Sequence, residues 1–326
     1  MGKEININTF IDQEKGGRET ELPSLETAIV RTLLYFDLFR YPLAASDLAR
    51  NAMFKIADEG SLAAALQQLH ARGMVVEEAG FYYIGEGKNY VQRRKKGNAL
   101  AEKRLEKARK VSNFICKFPF VEAVMVSGSL SKHYMEADSD LDFFIVTRPG
   151  RLWIARTLLI LYKKVFLLNS HQDFCVNYFV DSDHLEIEDQ NIFTATELVY
   201  LLPTSNVEMY HKLRKDNAWA DAYYPNFGLR ETAECHPENS GWLGKSLEKL
   251  LSGKLGERLD AWSMKRTMRR WKSKFDHFDE SKFEVALRTR EYVSKHHPTD
   301  YQQYVVRGLE KKISDFESKH GIKLAF

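Results

Sequence analysis

The sequence predicts an α+β fold, and three observations carry that prediction. Apolar residues at helical spacing run through the N-terminal region and again through the C-terminal third; β-prone apolar runs concentrate within 121–180; and no solenoid-period repeat or low-complexity tract interrupts them. The 326 residues, 44% hydrophobic and 29% charged, supply enough apolar material for a sizeable core and for two or three domains. Lys and Arg total 48 against 45 Asp and Glu, a net charge of +3, so the whole chain is no polyanion binder and any nucleic-acid surface must be local. Cys116, Cys175 and Cys235 form no CxxC pair and have no His at metal spacing, which argues against a disulfide scaffold and a structural zinc and fits a reducing compartment. The polar leader 1–20 lacks a signal-peptide core. The most apolar run, 153–168, is cut by Arg156, Lys163 and Lys164 before reaching the roughly 20 residues of a membrane span. A cytoplasmic protein with no membrane partner is the expectation, with 153–168 a buried or half-buried helix.

Within 21–87, Ser24 is placed to cap a first helix whose stripe is Ile29, Leu33 and Phe36. Tyr41-Pro42 ends it, and Ser46 or Asp47 starts a second, short helix. Ser61 caps a third, lined by Leu62, Leu66 and Leu69, which Gly73 stops. Two β-prone runs within 74–84 then meet at a Glu-Ala-Gly turn. Three helices and a hairpin resemble a winged helix-turn-helix domain, which implies DNA binding. The local charge opposes that use: over 21–86 nine acidic and five basic residues give −4, whereas a surface that displaces counterions from phosphates should be positive. The third helix offers Gln67, Gln68, His70 and Arg72 and little else for base contacts. A protein partner, or packing on the next domain, is the preferred use of this module.

The segment 88–118 reads as a basic linker and helix. Over 88–110, ten basic residues meet Glu102 and Glu106, giving +8, so this stretch either tracks a nucleic acid or polyphosphate or is an exposed bridging helix. A second basic run, 264–274, carries six cations and Trp271, which either stacks a base or belongs to the core.

The chemistry concentrates within 119–188. The run 121–126 is apolar and rich in β-branched residues, and Ser127-Gly128-Ser129 ends it. LSKHYMEA suits one or two helical turns, and Asp140-Leu141-Asp142 then opens a second apolar run, 143–146. Strand, Gly-Ser turn, short helix, strand, with Asp-x-Asp at the head of the second strand, resembles the DNA polymerase β-type nucleotidyltransferase superfamily. The resemblance implies a nucleotidyltransferase α/β core with a mixed sheet, in which Asp140 and Asp142 hold Mg²⁺ or Mn²⁺ and act in catalysis. Gly128, Ser129 and Lys132 would then bind the phosphates of an NTP. The residue types suit those roles. Alternate strand positions share a face, so both carboxylates can offer hard oxygen ligands to a cation that bridges phosphates. A glycine lets backbone N–H groups approach an anion closely.

The superfamily adds a third carboxylate from a later strand, and here the sequence departs from the pattern. The candidate strand within 174–180 has Asn177 at its centre, and an amide can ligate a cation but cannot act as a base. Asp173 and Asp181 share the parity of Asn177 but lie about 13 Å away at strand rise; each is either a displaced third carboxylate or a strand-end turn former. Beyond 188 a helical C-terminal domain, 189–326, is expected, with a helix over 192–203 stopped by Pro203; His296-His297-Pro298 either caps a helix end, the preferred reading with no third ligand nearby in sequence, or holds a metal or phosphate. CVNYFV, TATELVYLLP and NAWADAYYPN together are similar to a little-characterised group of bacterial nucleotidyltransferase-like proteins, which brings no substrate with it. Three function classes follow: a metal-dependent enzyme moving NMP from an NTP to an unidentified acceptor hydroxyl; a catalytically impaired nucleotide-binding sensor or regulator; and, last, a winged-helix DNA-binding regulator.

Overall fold

The structure, a computed structural model, describes residues 25–85, 87, 89–168, 172–230, 242–299 and 301–324. The leader 1–20, the cap expected at Ser24 and Cys235 lie outside them. The chain is α+β, with mixed sheet pairing and helices on both faces of the larger sheet.

The N-terminal part runs α1 (Leu25–Asp37), β1 (Leu43–Ala44), α2 (Ala45–Asn51), α3 (Glu59–Ala71), β2 (Val76–Glu78) and β3 (Phe81–Tyr83). α1 stops short of Pro42 because the chain reverses through Arg40, at φ 52°. Asp47 receives the Ala44 N–H at 3.0 Å and so holds the start of α2. The cap of α3 is Asp58, whose Oδ1 accepts the Ser61 N–H at 2.7 Å; Ser61 is the capped residue rather than the cap, since the acceptor must precede the orphan N–H groups by two or three positions. Ala79 and Gly80, both at positive φ, close the β2–β3 hairpin with the twist that two-residue turns favour. β1 adds a third strand on β3.

α4 (Tyr90–Ile115) absorbs the basic segment into one 26-residue helix. The central sheet then forms from β4 (Val121–Ser127), β5 (Asp142–Thr147), β6 (Cys175–Asp181), β7 (Leu202–Pro203) and β8 (Val293–Lys295), in the order β7-β4-β5-β6-β8. Only β5 and β6 run parallel. The one-turn helix α5 (Gly128–Ser131) links β4 toward β5, and α6 (Leu152–Phe166) makes the crossover to β6. Strand alternation divides the interior. Ala123, Met125, Phe144, Val146 and Val180 face one core, shared with α7 (Ile192–Tyr200), α8 (Val207–Asp216) and the N-terminal helices. Val124, Val126, Phe143, Ile145 and Phe179 face the other, under α4 and α6. Phe143, Ile145 and Phe179 are fully buried, each contributing about 1.5–3 kcal/mol relative to exposure.

Two expectations for the C-terminal region change. Pro203 does not simply end a helix: α7 stops at Tyr200, and Leu202–Pro203 pairs with β4 at the sheet edge, where a residue without N–H is tolerated. His296-His297-Pro298 follows strand β8 rather than a helix, and the His296 N–H donates to the Asn177 carbonyl at 2.9 Å. Both edge strands of the central sheet therefore come from beyond 188. The remaining helices are α9 (Ala220–Tyr223), α10 (Trp242–Leu250), α11 (Lys254–Lys274), α12 (Glu280–Ala286) and α13 (Tyr301–His320). Trp271 of the second basic run is 5% exposed, against Trp153 and His296, and so belongs to the core. No helix among the described residues is long and apolar enough to cross a membrane.

The N-terminal module packs into the molecule. The Tyr200 hydroxyl donates to Asn51 Oδ1 at 2.7 Å, and the Asn226 amide bonds the backbone at Ala52, Phe54 and Ile56. The basic helix α4 spends several cations internally: Arg94 bonds Asp47 at 2.7 Å, Arg93 pairs with Glu136, and Arg104 and Lys107 both hold Asp173.

Candidate functional site

β4 and β5 are antiparallel neighbours, and their register sets Ser127 opposite Asp142. The residue after Ser127 therefore turns directly over the Asp142 carboxylate. That residue is Gly128, at φ 65°, and a Cβ there would lie 2.5 Å from Asp142 Oδ2. Only glycine fits both the backbone angle and the space. Ser129 is half-buried on the following turn. α5 spans four residues, too short for a cooperative helix dipole, so any anion here meets individual N–H groups and the serine hydroxyl.

Asp140 and Asp142 are half-buried, Asp142 at the first position of β5 and Asp140 just before it. Burial, joined by the negative charges of Asp140 and Glu197, pushes the Asp142 carboxyl up to about 6. A concentration of carboxylate charge in partly desolvated surroundings favours a cation or a proton. Among the described residues no three His, Cys, Asp or Glu side chains converge as a ready-made metal cage. Asp140 and Asp142 supply hard oxygen donors, the type that a Mg²⁺ shared with substrate phosphates takes one or two of.

Asn177 reaches this place by a route the sequence does not show. The β5–β6 register runs Phe143 opposite Val176 and then Phe144 opposite Tyr178, so Asn177 is the extra residue of a bulge. Its Nδ2 donates to Asp142 Oδ1 at 3.1 Å and to Cys175 Sγ at 2.9 Å. The same bulge breaks the parity that puts Asp173, Asn177 and Asp181 on one face. Asp173 precedes β6 and is held by Arg104 at 2.8 Å and Lys107 at 2.7 Å. Asp181 lies opposite Thr147, at the far end of the parallel pair from Asp142. Its Oδ1 accepts the N–H groups of Asp183 and His184, as a turn former does.

Lys132 stands one turn after Gly128, but its ammonium donates to the Gly128 carbonyl at 3.0 Å and to Glu197 Oε1 at 2.8 Å. Glu197, from α7, is the site residue that the motif reading misses. Its signal is a single acidic residue in the otherwise apolar TATELVYLL run. His297 feels the Glu197 charge, and its imidazole is pushed down to about 4 chiefly by burial. Cys175 and Lys163 complete the surroundings. Burial raises the Cys175 thiol to about 12, leaving it neutral, and lowers the Lys163 ammonium, which the charges of Asp140 and Asp142 pull back up. Comparisons of the chain with protein-family models, curated proteins and solved structures give no match.

Proposed function

We propose that the β4–α5 turn and the head of β5 form a nucleotide site, and that the protein is a metal-dependent nucleotidyltransferase moving NMP from an NTP to an acceptor hydroxyl. One observation carries this reading: the Gly128 backbone sits on the Asp142 carboxylate with no space for a side chain, so a phosphate-suited turn and a cation-suited carboxylate face the same point. Asp140 and Asp142 would hold Mg²⁺ or Mn²⁺, which when bound offsets triphosphate charge and favours the pyrophosphate leaving group. The Gly128 and Ser129 N–H groups and the Ser129 hydroxyl would orient the phosphates. Lys132, anchored by Glu197, would place its charge beside them. In this reading the core is a nucleotidyltransferase α/β core with a mixed sheet, α1 to β3 a winged-helix-like module used for internal packing, and the acceptor enters from the side of the C-terminal helices. The test is pyrophosphate release from each NTP with a panel of hydroxyl acceptors, comparing wild type with Asp140→Ala and Asp142→Ala. Loss of at least roughly 100-fold in either variant is expected, and equal release by all three proteins would sink the proposal.

A second reading, a nucleotide-binding sensor or regulator without turnover, is favoured by Asn177. Its amide N–H₂ occupies Asp142 Oδ1, where the superfamily pattern calls for a third carboxylate able to take the acceptor proton. Binding of a non-hydrolysable NTP with Mg²⁺ in the absence of any product, together with turnover gained by Asn177→Asp, selects this reading. Brisk turnover by the native protein rejects it.

A further inference from the structure

The layer of α6 and α11 over the sheet carries a surface that the nucleotide reading does not use. α11 lies alongside α6: Asp260 Oδ1 accepts the Ile154 N–H at 2.8 Å, and further along Lys164 senses the charges of Arg266 and Arg270. On α6, Leu161 and Val165 lie one turn apart with 54% and 57% of their surface open, and Leu168, in the turn that follows the helix, is 90% open. On α11, Leu255, Leu259 and Trp262 lie at i, i+4, i+7 on the flank that continues to Arg266 and Arg270. These side chains leave apolar surface open on two adjacent helices, with the Arg266 guanidinium lying over the Trp262 ring at 5.2 Å. The exposed cations Lys265, Arg266, Arg269, Arg270, Lys272 and Lys274 run beside it with no exposed acid between them in α11.

We infer that this face docks on an anionic lipid surface, with Leu161, Val165, Leu168 and Trp262 entering the headgroup region and the α11 cations meeting lipid phosphates. The composition selects lipid over a nucleic acid. Single-stranded RNA is held by cations and stacked aromatics, whereas aliphatic residues at a charged rim match the boundary between acyl chains and headgroups. Such contact needs no spanning segment; of the charges that interrupt 153–168, Arg156 and Lys163 are buried and Lys164 is exposed on α6. The expectation of no membrane partner rests on the missing span alone.

The test is co-sedimentation of the full chain with vesicles of phosphatidylcholine alone and of phosphatidylcholine mixed with phosphatidylglycerol, at low and high salt. Binding to the anionic vesicles only, weakened by salt, is expected. The pair Val165→Ser with Leu168→Ser should weaken it roughly tenfold or more through lost apolar insertion. Arg266→Glu with Arg270→Glu should weaken it roughly 25-fold or more, at about fivefold per cation near such a surface. All four positions are exposed, and unchanged thermal melts would show that the variants keep the fold. Wild type that ignores anionic vesicles overturns the inference. So does RNA binding sensitive to the Arg pair without vesicle binding, which makes this a nucleic-acid surface. Self-association abolished by the Ser pair without vesicle binding likewise overturns it, assigning the face to a second copy of the chain.

Discussion

The two ends of the parallel β5–β6 pair each carry an aspartate, and the two aspartates do different work. At one end Asp181 is almost fully buried, and its Oδ1 accepts the Asp183 N–H, the His184 N–H and the His184 Nδ1–H, the last at 2.8 Å. The hydrogen bonds of this carboxylate are local and shape the turn that ends the strand. At the other end Asp142 accepts the amide of Asn177, faces a glycine backbone, and stands among the charges of Asp140 and Glu197 that oppose its ionisation. Donors converge on the first carboxylate; like charges converge on the second. The first arrangement is a folded-state fastening, and the second leaves a carboxylate opposed by like charge, which is what the proposed nucleotide site uses. A raised carboxyl by itself does not mark such a place. Asp260 is pushed up to about 6 by burial, yet it receives the N–H groups that start α6 and is structural.

The contrast sets an order of effects on stability. Asp181→Ala, which strands two backbone N–H groups and an imidazole, should lower unfolding free energy by about 3 kcal/mol in denaturant titrations while leaving nucleotide affinity unchanged. A variant that folds normally but loses nucleotide would erase the distinction between the two ends. Gly128→Ala forces a Cβ into the positive-φ region and against Asp142, and should cost about 1–3 kcal/mol together with nucleotide binding. Retained binding in a folded Gly128→Ala protein would detach the turn from the site.

Asp260→Asn keeps an acceptor for the Ile154 N–H and removes a charge that folding disfavours. Because the folded carboxyl titrates near 6, above its ordinary value of 3.8, ionisation destabilises the native state as pH rises through that window. The variant should therefore gain about 1–2 kcal/mol above pH 6 and match wild type below about pH 4, read from melts across pH. His297 has the opposite sign. Its folded imidazole titrates near 4, below the ordinary 6.5, so its contribution is complete above 6.5 and fades as pH falls toward 4. His297→Gln should remove about 1 kcal/mol of that acid sensitivity. A melt–pH profile identical to wild type would show that His297 is already solvated. Asp142→Ala should change stability least, by less than about 1 kcal/mol, while abolishing Mg²⁺-dependent nucleotide binding in calorimetry.

Much of the site was legible because its first half is local. Gly128 and Ser129 follow one strand, Asp140 and Asp142 open the next, and the apolar, β-prone runs 121–126 and 143–146 mark both strands. The hairpin at Ala79-Gly80 and the helix stripes in 25–71 were legible for the same reason. The sequence shows Asn177 standing where a carboxylate is expected but not its hydrogen bond to Asp142, because a bulge leaves no mark in a period-two pattern. Glu197 was missed altogether, since α7 returns to the site only after β6 and the turns that follow it.

By itself the sequence determined the α+β class, the helices and hairpin of 25–84, the strands within 121–180, and the order of a Gly-Ser turn and an Asp-x-Asp strand. Helical and strand periodicities, caps and turn residues act over a few positions and are written in the chain. Only the tertiary structure decided that β7 and β8 complete the sheet, that Lys132 is held by Glu197, and that several cations of 88–110 are neutralised within the fold. Those outcomes depend on which surfaces meet after collapse. The free energy of such contacts is set by burial and by partners brought from distant segments, which no local pattern specifies.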